Sequence, residues 1–353
     1  MAHTSITRTS VTIVGCGVIG AMIAYELSLD PGLEVTVYDQ AQPAQGATGA
    51  ALGVMMGIIS QKIRGRAWQM RQTSLAYYDR LIPLLEEASG RAIAYNRHGI
   101  VMLCFDSWDK WYELQRIRQQ QGYTLEMWSP QQLQEHCPQI SPNCLGAVYS
   151  PGDRQVNPVV LTNALVAAAA DRVNFQFNYP IPELEIPAAT KGWLVIAAGL
   201  GTNELLSRLP EPAVVLQPVL GQAIHCQLPK ALGSPDFQPV ITGHDIHLVP
   251  TSNDRQYWLG ATVEFPHGQI AAQPELLTSL YQGAINFCSE LSSAKILRQW
   301  WGLRPRPVNQ TAPVIRSVPG YDRLILATGH YRNGILLAPA TAIAVREMIT
   351  RAC

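Results

Sequence analysis

The chain has 353 residues, its 26 basic and 26 acidic side chains cancel, and charged residues make up only 15% of it, against roughly 25% in an average soluble protein. A hydrophobic content of 47% supports a large core in two domains or one elaborate one and excludes disorder as the main state. Zero net charge without any run of Lys or Arg excludes the electrostatic footprint of a nucleic-acid binder.

Residues 11–14 (Val-Thr-Ile-Val) read as a buried strand, 15–29 as a turn and helix, and 34–39 as the next strand, a complete β-α-β unit. Gly15, Gly17 and Gly20 form G-x-G-x-x-G between the strand and the helix, and Asp39 ends the second strand nineteen residues beyond Gly20. Glycines in that setting let a pyrophosphate approach backbone N–H groups at a helix N-terminus, while the acid can accept hydrogen bonds from a ribose. The motif predicts a dinucleotide site but does not separate NAD from FAD.

The small-residue stretch 46–53 (Gly-Ala-Thr-Gly-Ala-Ala-Leu-Gly) can lay backbone against a flat ligand. An amphipathic helix is predicted over 66–89, bent or split at Pro83, and another from an N-cap at Ser107 to Gln121. The segment 193–199 resumes the α/β pattern with an apolar strand ahead of a helix. Residues 219–228, 240–249 and 256–265 read as strands of an antiparallel sheet, which a helix near 274–291 covers with Leu277, Leu280, Ala284, Phe287 and Leu291. On the predicted strand 296–304, Ile296, Arg298, Trp300, Gly302 and Arg304 share one face, and Pro305 holds Arg304 extended at its end. A guanidinium there can grip a carboxylate at two points. His244 and His247, placed on one strand, face opposite sides, so no shared metal is expected, whereas Asp245 and His247 share a face as a polar pair. Residues 324–329 form a last strand that runs through Gly329 and Gly334 into the final helix, whose start offers donors to an anion. Proline clusters at 180–187 and 305–319 read as stiff connections.

The apolar stretches 49–59 and 334–345 fall short of the ~20 residues of a membrane-spanning helix. Seven cysteines without a C-x-x-C pair suggest neither a disulfide framework nor a zinc site, and with no secretory leader in view the expectation is a soluble cytoplasmic chain with reduced thiols and no metal.

The glycine motif, Gly302-Leu303-Arg304-Pro305 and the run Gly329-His330-Tyr331-Arg332-Asn333-Gly334-Ile335-Leu336 together resemble the D-amino-acid oxidase superfamily of FAD enzymes, most closely its glycine oxidase branch. Supporting echoes lie at 153–158, 195–199 and 260–262. The resemblance implies an α/β fold with a Rossmann-type FAD-binding domain of the glutathione-reductase/p-hydroxybenzoate-hydroxylase type and an inserted, mainly antiparallel substrate domain. The FAD-binding part would comprise 1–62, 145–215 and 305–353, and the substrate part 63–144 and 216–304. It further implies non-covalent FAD. The adenosine half would lie on Val18, Ile19, Asp39 and Gln40, with Ile181 near the adenine; the centre by Thr48, Leu52, Gly53 and Val54; and the isoalloxazine by the turn from His330 to Leu336.

In that family the arginine matching Arg304 pairs with the substrate carboxylate, and the one matching Arg332 stands at the flavin end of the pocket. His247 replaces a pocket tyrosine, Asp245 a histidine and Val263 a methionine, which leaves the identity of the substrate open. The implied reaction oxidises a small amino acid (glycine, sarcosine or a small D-amino acid) to a 2-oxo acid and ammonia. Dioxygen would be reduced to hydrogen peroxide, in the service of thiamine biosynthesis, and the branch implies a homo-oligomer. No side-chain base is demanded if the neutral amine reacts. A flavin dehydrogenase serving a quinone or another carrier, a nicotinamide-dependent dehydrogenase and an FAD-binding regulatory protein are the alternatives.

Overall fold

The computed structural model describes residues 8–179, 192–207, 209, 213–266, 268 and 270–351. Strand Thr9–Val14 leads into helix Val18–Ser28 and strand Leu33–Tyr38, as the local pattern of apolar residues and glycines requires. These two strands pair in parallel inside a six-stranded sheet. Its order is Val314–Val318, Tyr321–Thr328, Trp193–Ile196, Thr9–Val14, Leu33–Tyr38, Val173–Gln176. Only the hairpin of the first two runs antiparallel. Helices Val18–Ser28, Pro158–Ala169 and Gly334–Thr350 pack together with this sheet in the main hydrophobic cluster, and a second cluster around Leu206, Leu216 and Leu324 holds another part of it.

An eight-stranded sheet forms the other layer, in the order Lys295–Pro307, Leu216–Gln227, Gln256–Gly260, Ile246–Pro250, Val240–Gly243, Ile100–Cys104, Gly146–Ser150, Glu126–Trp128. It is antiparallel except where Val240–Gly243 meets Ile100–Cys104 in parallel. Helix Pro274–Phe287 covers it, and Leu277, Leu280, Ala284, Phe287 and Leu291 are all buried there, as their spacing predicts.

Five local expectations are corrected. Residues 240–249 are not one strand but a hairpin, with His244 and Asp245 at its turn in left-handed conformation (φ 50° and 62°). Pro83 does not split its helix, which runs unbroken from Gly65 to Ser89 and buries Leu81, Ile82 and Leu85 around it. Trp108, not Ser107, caps the next helix, and Ser107 Oγ accepts from the amide of Asp109 at 3.1 Å. Pro305 and Pro307 are part of the edge strand, where a missing N–H is tolerated, and 314–318 is itself a strand. The cluster at 180–187 lies outside the described residues. In the strand Lys295–Pro307 the pairing skips Leu297, so the alternation that sets the cavity-facing residues starts at Arg298 and leaves Ile296 out.

Candidate active site

A continuous cavity of about 1500 Å³ runs from the glycine turn, where both Gly15 and Asp39 line it, to the strand that carries Arg304. Packing fixes its first wall. Gly15 has φ +101°, and a Cβ there would lie 2.6 Å from the Ala197 carbonyl oxygen; one on Gly20 would lie 1.8 Å from the Gly15 carbonyl oxygen. Only glycine allows this closeness of strand, turn and helix. A Cβ on Gly17 would meet nothing nearer than Thr48 Oγ1 at 3.1 Å. The Thr48 hydroxyl accepts from the amide of Val18 at 3.0 Å, which ties the small-residue stretch to the first turn of the helix. Asp39 accepts from the amides of Cys16 (2.6 Å) and Ala41 (2.9 Å), so the acid shapes the turn while it lines the cavity. A carboxylate has about four lone-pair sites, which leaves capacity for a ribose.

The middle of the groove is backbone and small side chains. Gly53 has φ +75°, and a Cβ there would sit 1.7 Å from the Val156 carbonyl oxygen. Across the cavity Trp300 Nε1 donates to the Ala50 carbonyl at 3.1 Å, and a Cβ on Gly302 would fall 2.3 Å from that of Ala50. Segment 47–53 is thus held against the edge of the larger sheet. Among the described residues the charged ones of the lining are few: Asp39, Glu204, Arg298, Arg304 and Arg332.

At the far end Arg304 donates through Nη1 to the carbonyls of Leu220 (3.1 Å) and Thr262 (3.0 Å). Its guanidinium lies over Gly221, where a Cβ would come within 2.2 Å of Nη2. Burial first, then the nearby Arg332, lower the Arg304 pKa from the ordinary arginine value. Arg332 is the more exposed of the two, with Nη2 4.0 Å from the Asp245 carboxylate. His247 Nδ1 hydrogen-bonds Thr242 Oγ1 at 2.9 Å. Burial and the positive charge of Arg332 push its pKa down to about 4, so it is neutral at physiological pH. Because His244 and Asp245 form a turn, the expected shared face of Asp245 and His247 does not exist. His244 stacks on Phe105 at 3.9 Å, and Asp245 reaches toward Arg332 instead. The buried His330 bonds Thr341 Oγ1 at 2.8 Å through Nε2, and its pKa is lowered to about 3, chiefly by burial.

Of the residues singled out in the sequence, Gly15, Gly17, Val18, Ile19, Asp39, Gln40, Thr48, Leu52, Gly53 and Val54 line the same cavity as His247, Arg304, Gly329, His330, Tyr331, Arg332, Gly334 and Ile335. Gly20, Asn333 and Leu336 do not. Gly20 packs against the turn, the Asn333 side chain accepts from Arg71 at 3.4 Å, and Leu336 is in the core. Ile181 lies outside the described residues. Sequence reasoning missed Gln42–Gln45, Glu204, Gly221, Trp300 and Trp301 as lining. Trp300 alone had a signal, its place in the alternation with Arg304.

Two neutral histidines, the buried His330 and the half-buried His247, have a consequence for stability. Both pKa values are depressed below that of an unfolded histidine, so acid protonates the unfolded chain first and stability falls as pH drops from about 6.5 toward 4. The Tm is expected to decline over that window, and a His247→Asn/His330→Asn variant is expected to show a shallower decline; equal slopes in a thermal-melt series would refute it.

The pattern of a family of known proteins, the FAD dependent oxidoreductases, matches residues 10–348. The chain is 30% identical to the bifunctional protein ThiO/ThiG of Trichormus variabilis over 96% of its own length, but spans only 52% of that protein. To the glycine oxidase of Bacillus licheniformis it is 29% identical, over 97% of this chain and 93% of that one. The crystal structure of glycine oxidase from Bacillus cereus superposes with a TM-score of 0.85 at 26% identity, over 98% of this chain and 96% of that one. With its parallel sheet, glycine turn and second sheet closing one groove, the chain belongs to the FAD dependent oxidoreductase family.

Proposed function

We propose that this chain is an FAD-dependent oxidase of a small amino acid, with the carboxylate held by Arg304. The observation that carries the reading is a single cavity that joins a dinucleotide-type glycine turn to a half-buried guanidinium that, among the described residues, donates to the neutral carbonyls of Leu220 and Thr262. The lining fits FAD on its own terms: Gly15, Gly53 and Gly302 stand where a Cβ would collide with the wall, the long groove is almost uncharged, and Asp39 is at the turn. None of the six described cysteines lines the cavity, and His330 Nε2 is engaged with Thr341, which supports non-covalent attachment.

In this reading the residues from Gly15 to Val54 with Asp39 and Gln40 hold the adenosine and pyrophosphate portions. Those from Gly329 to Ile335 border the flavin ring. The amide end of the seventeen-residue helix Gly334–Thr350 begins at the cavity and places its positive dipole end there. When bound, FAD would supply the redox chemistry, carrying two electrons and two protons from the amine to dioxygen, which becomes hydrogen peroxide, while water hydrolyses the resulting imine to the 2-oxo acid and ammonia. Arg304 orients the substrate through a two-point, charge-assisted grip. Arg332 adds positive charge at the same end. His247 is neutral near pH 7 and serves as a hydrogen-bonding wall rather than a proton store.

The test is anaerobic titration of the purified yellow protein with glycine, sarcosine, small D-amino acids and L-proline while the flavin absorbance is followed. Bleaching by at least one is expected. If none reduces it, the reading is wrong. Peroxide accumulation in air separates an oxidase from a dehydrogenase that uses another acceptor.

A further inference from the structure

Behind Arg304 lies a carboxylate that neither lines the cavity nor enters the reaction described above. Glu264 is 4% exposed. Its Oε1 accepts from the Thr262 hydroxyl and from Gln222 Nε2 at 2.9 Å, and its Oε2 accepts from the amide of Gln273 at 3.3 Å. Gln222 is drawn in twice more: its amide donates to Thr262 Oγ1 at 2.8 Å, and its Nε2 donates to the Gln273 carbonyl at 2.7 Å. A buried carboxylate is retained at a cost unless its hydrogen bonds are made, and here Thr262, Gln222 and Gln273 make them as neutral donors.

What these bonds hold is the seat of the arginine. Arg304 rests on two carbonyls, those of Leu220 and Thr262. Glu264 fixes both. Its backbone exchanges a reciprocal pair of hydrogen bonds with Leu220, each of 2.9 Å, and its side chain fastens Thr262. Glu264 also contributes a negative charge that favours the charged form of Arg304 against the opposing effects of burial and Arg332.

We propose that Glu264 is a positioning residue for substrate binding, which sets the placement of the Arg304 guanidinium by clamping the two carbonyls it rests on. This rests on the reading of Arg304 as the carboxylate-binding group. Hydrogen bonds to a charged group contribute about 1.5–3 kcal/mol each, so a loosened seat that weakens one of the two points of the grip is read in affinity and KM, about 10- to 100-fold, rather than in flavin content.

The experiment uses the FAD-loaded enzyme and acetate as a small carboxylate probe, with its Kd read from the perturbation of the visible flavin spectrum. Arg304→Lys is the reference. Glu264→Gln is expected to raise the acetate Kd and the amino-acid KM roughly 10- to 100-fold, with kcat at saturation and FAD content unchanged. A purely structural role would lower Tm and leave the Kd alone. If Arg304→Lys weakens acetate and Glu264→Gln does not, the positioning role is overturned and the carboxylate reading stands. If neither variant changes the Kd, the carboxylate reading fails and this proposal fails with it. Should Glu264→Gln not fold, Thr262→Val decides, because it cuts the side-chain link between Glu264 and one of the two carbonyls while keeping the shape; an unchanged Kd in that variant overturns the proposal.

Discussion

Arg304→Ala is expected to lower kcat/KM for the amino-acid substrate about 100-fold, almost all of it in KM, while FAD stays bound. The guanidinium is held by two backbone carbonyls, which leaves its remaining donors for a carboxylate. Hydrogen bonds to a charged group contribute about 1.5–3 kcal/mol each, and loss of a two-point grip is estimated at about 3 kcal/mol after water fills the gap. Stability should change little, because Arg304 is half-buried at the wall of a cavity, the Leu220 carbonyl keeps its bond from the Glu264 amide, and only the half-buried Thr262 carbonyl loses a partner. Steady-state kinetics with a flavin absorbance spectrum of the same sample checks both halves. Unchanged KM would remove the carboxylate assignment.

Gly20→Ala should act at the opposite end of the groove and by another mechanism. The new methyl carbon would fall 1.8 Å from the Gly15 carbonyl oxygen, and neither atom belongs to a flexible side chain. Helix Val18–Ser28 would have to withdraw from strand Thr9–Val14, which disturbs the main core as well as the turn. Overpacking of this kind costs about 3 kcal/mol, a fall in Tm of roughly 4 °C for a chain of this length. The expected product is a colourless protein of lowered Tm. Full flavin content by absorbance ratio, together with a wild-type melt, would show that the turn has more slack than its packing indicates.

These two ends differ in how readily the sequence discloses them. The glycine turn and Asp39 are legible because every element of the motif lies within thirty consecutive residues and depends on local periodicity. Arg304 is legible because strand alternation sets it beside Trp300 and Gly302. The hairpin at His244 and Asp245 is not, since such turns usually announce themselves as Asn-Gly or Asp-Gly, and although His and Asp are enriched among non-glycine residues at positive φ, without a glycine after them they are a weak turn signal inside an apolar run. Its misreading as a strand is what produced the false Asp245–His247 face. Gly221 and Glu264 were equally hidden. Their importance comes from a partner some forty to eighty positions away in the chain, brought close by the register of Leu216–Gln227 against Lys295–Pro307 and by the Leu220–Glu264 bridge. Fold class, by contrast, follows from the alternation of strand and helix patterns with a β-rich middle.

The groove between the two sheets has a consequence for the protein's abundance in the cell. Leu52, Val54 and Trp300 border it while also packing on the small cluster of Ile100, Ala223, Val240 and Val249, so the cofactor doubles as filling for the joint between the layers. A ligand that binds only the folded chain stabilises it by about 2.7 kcal/mol at a hundred times its Kd. Molecules completed when flavin is scarce lack that margin and are the first to be cleared by proteases. The steady-state level of this protein is therefore expected to follow vitamin supply.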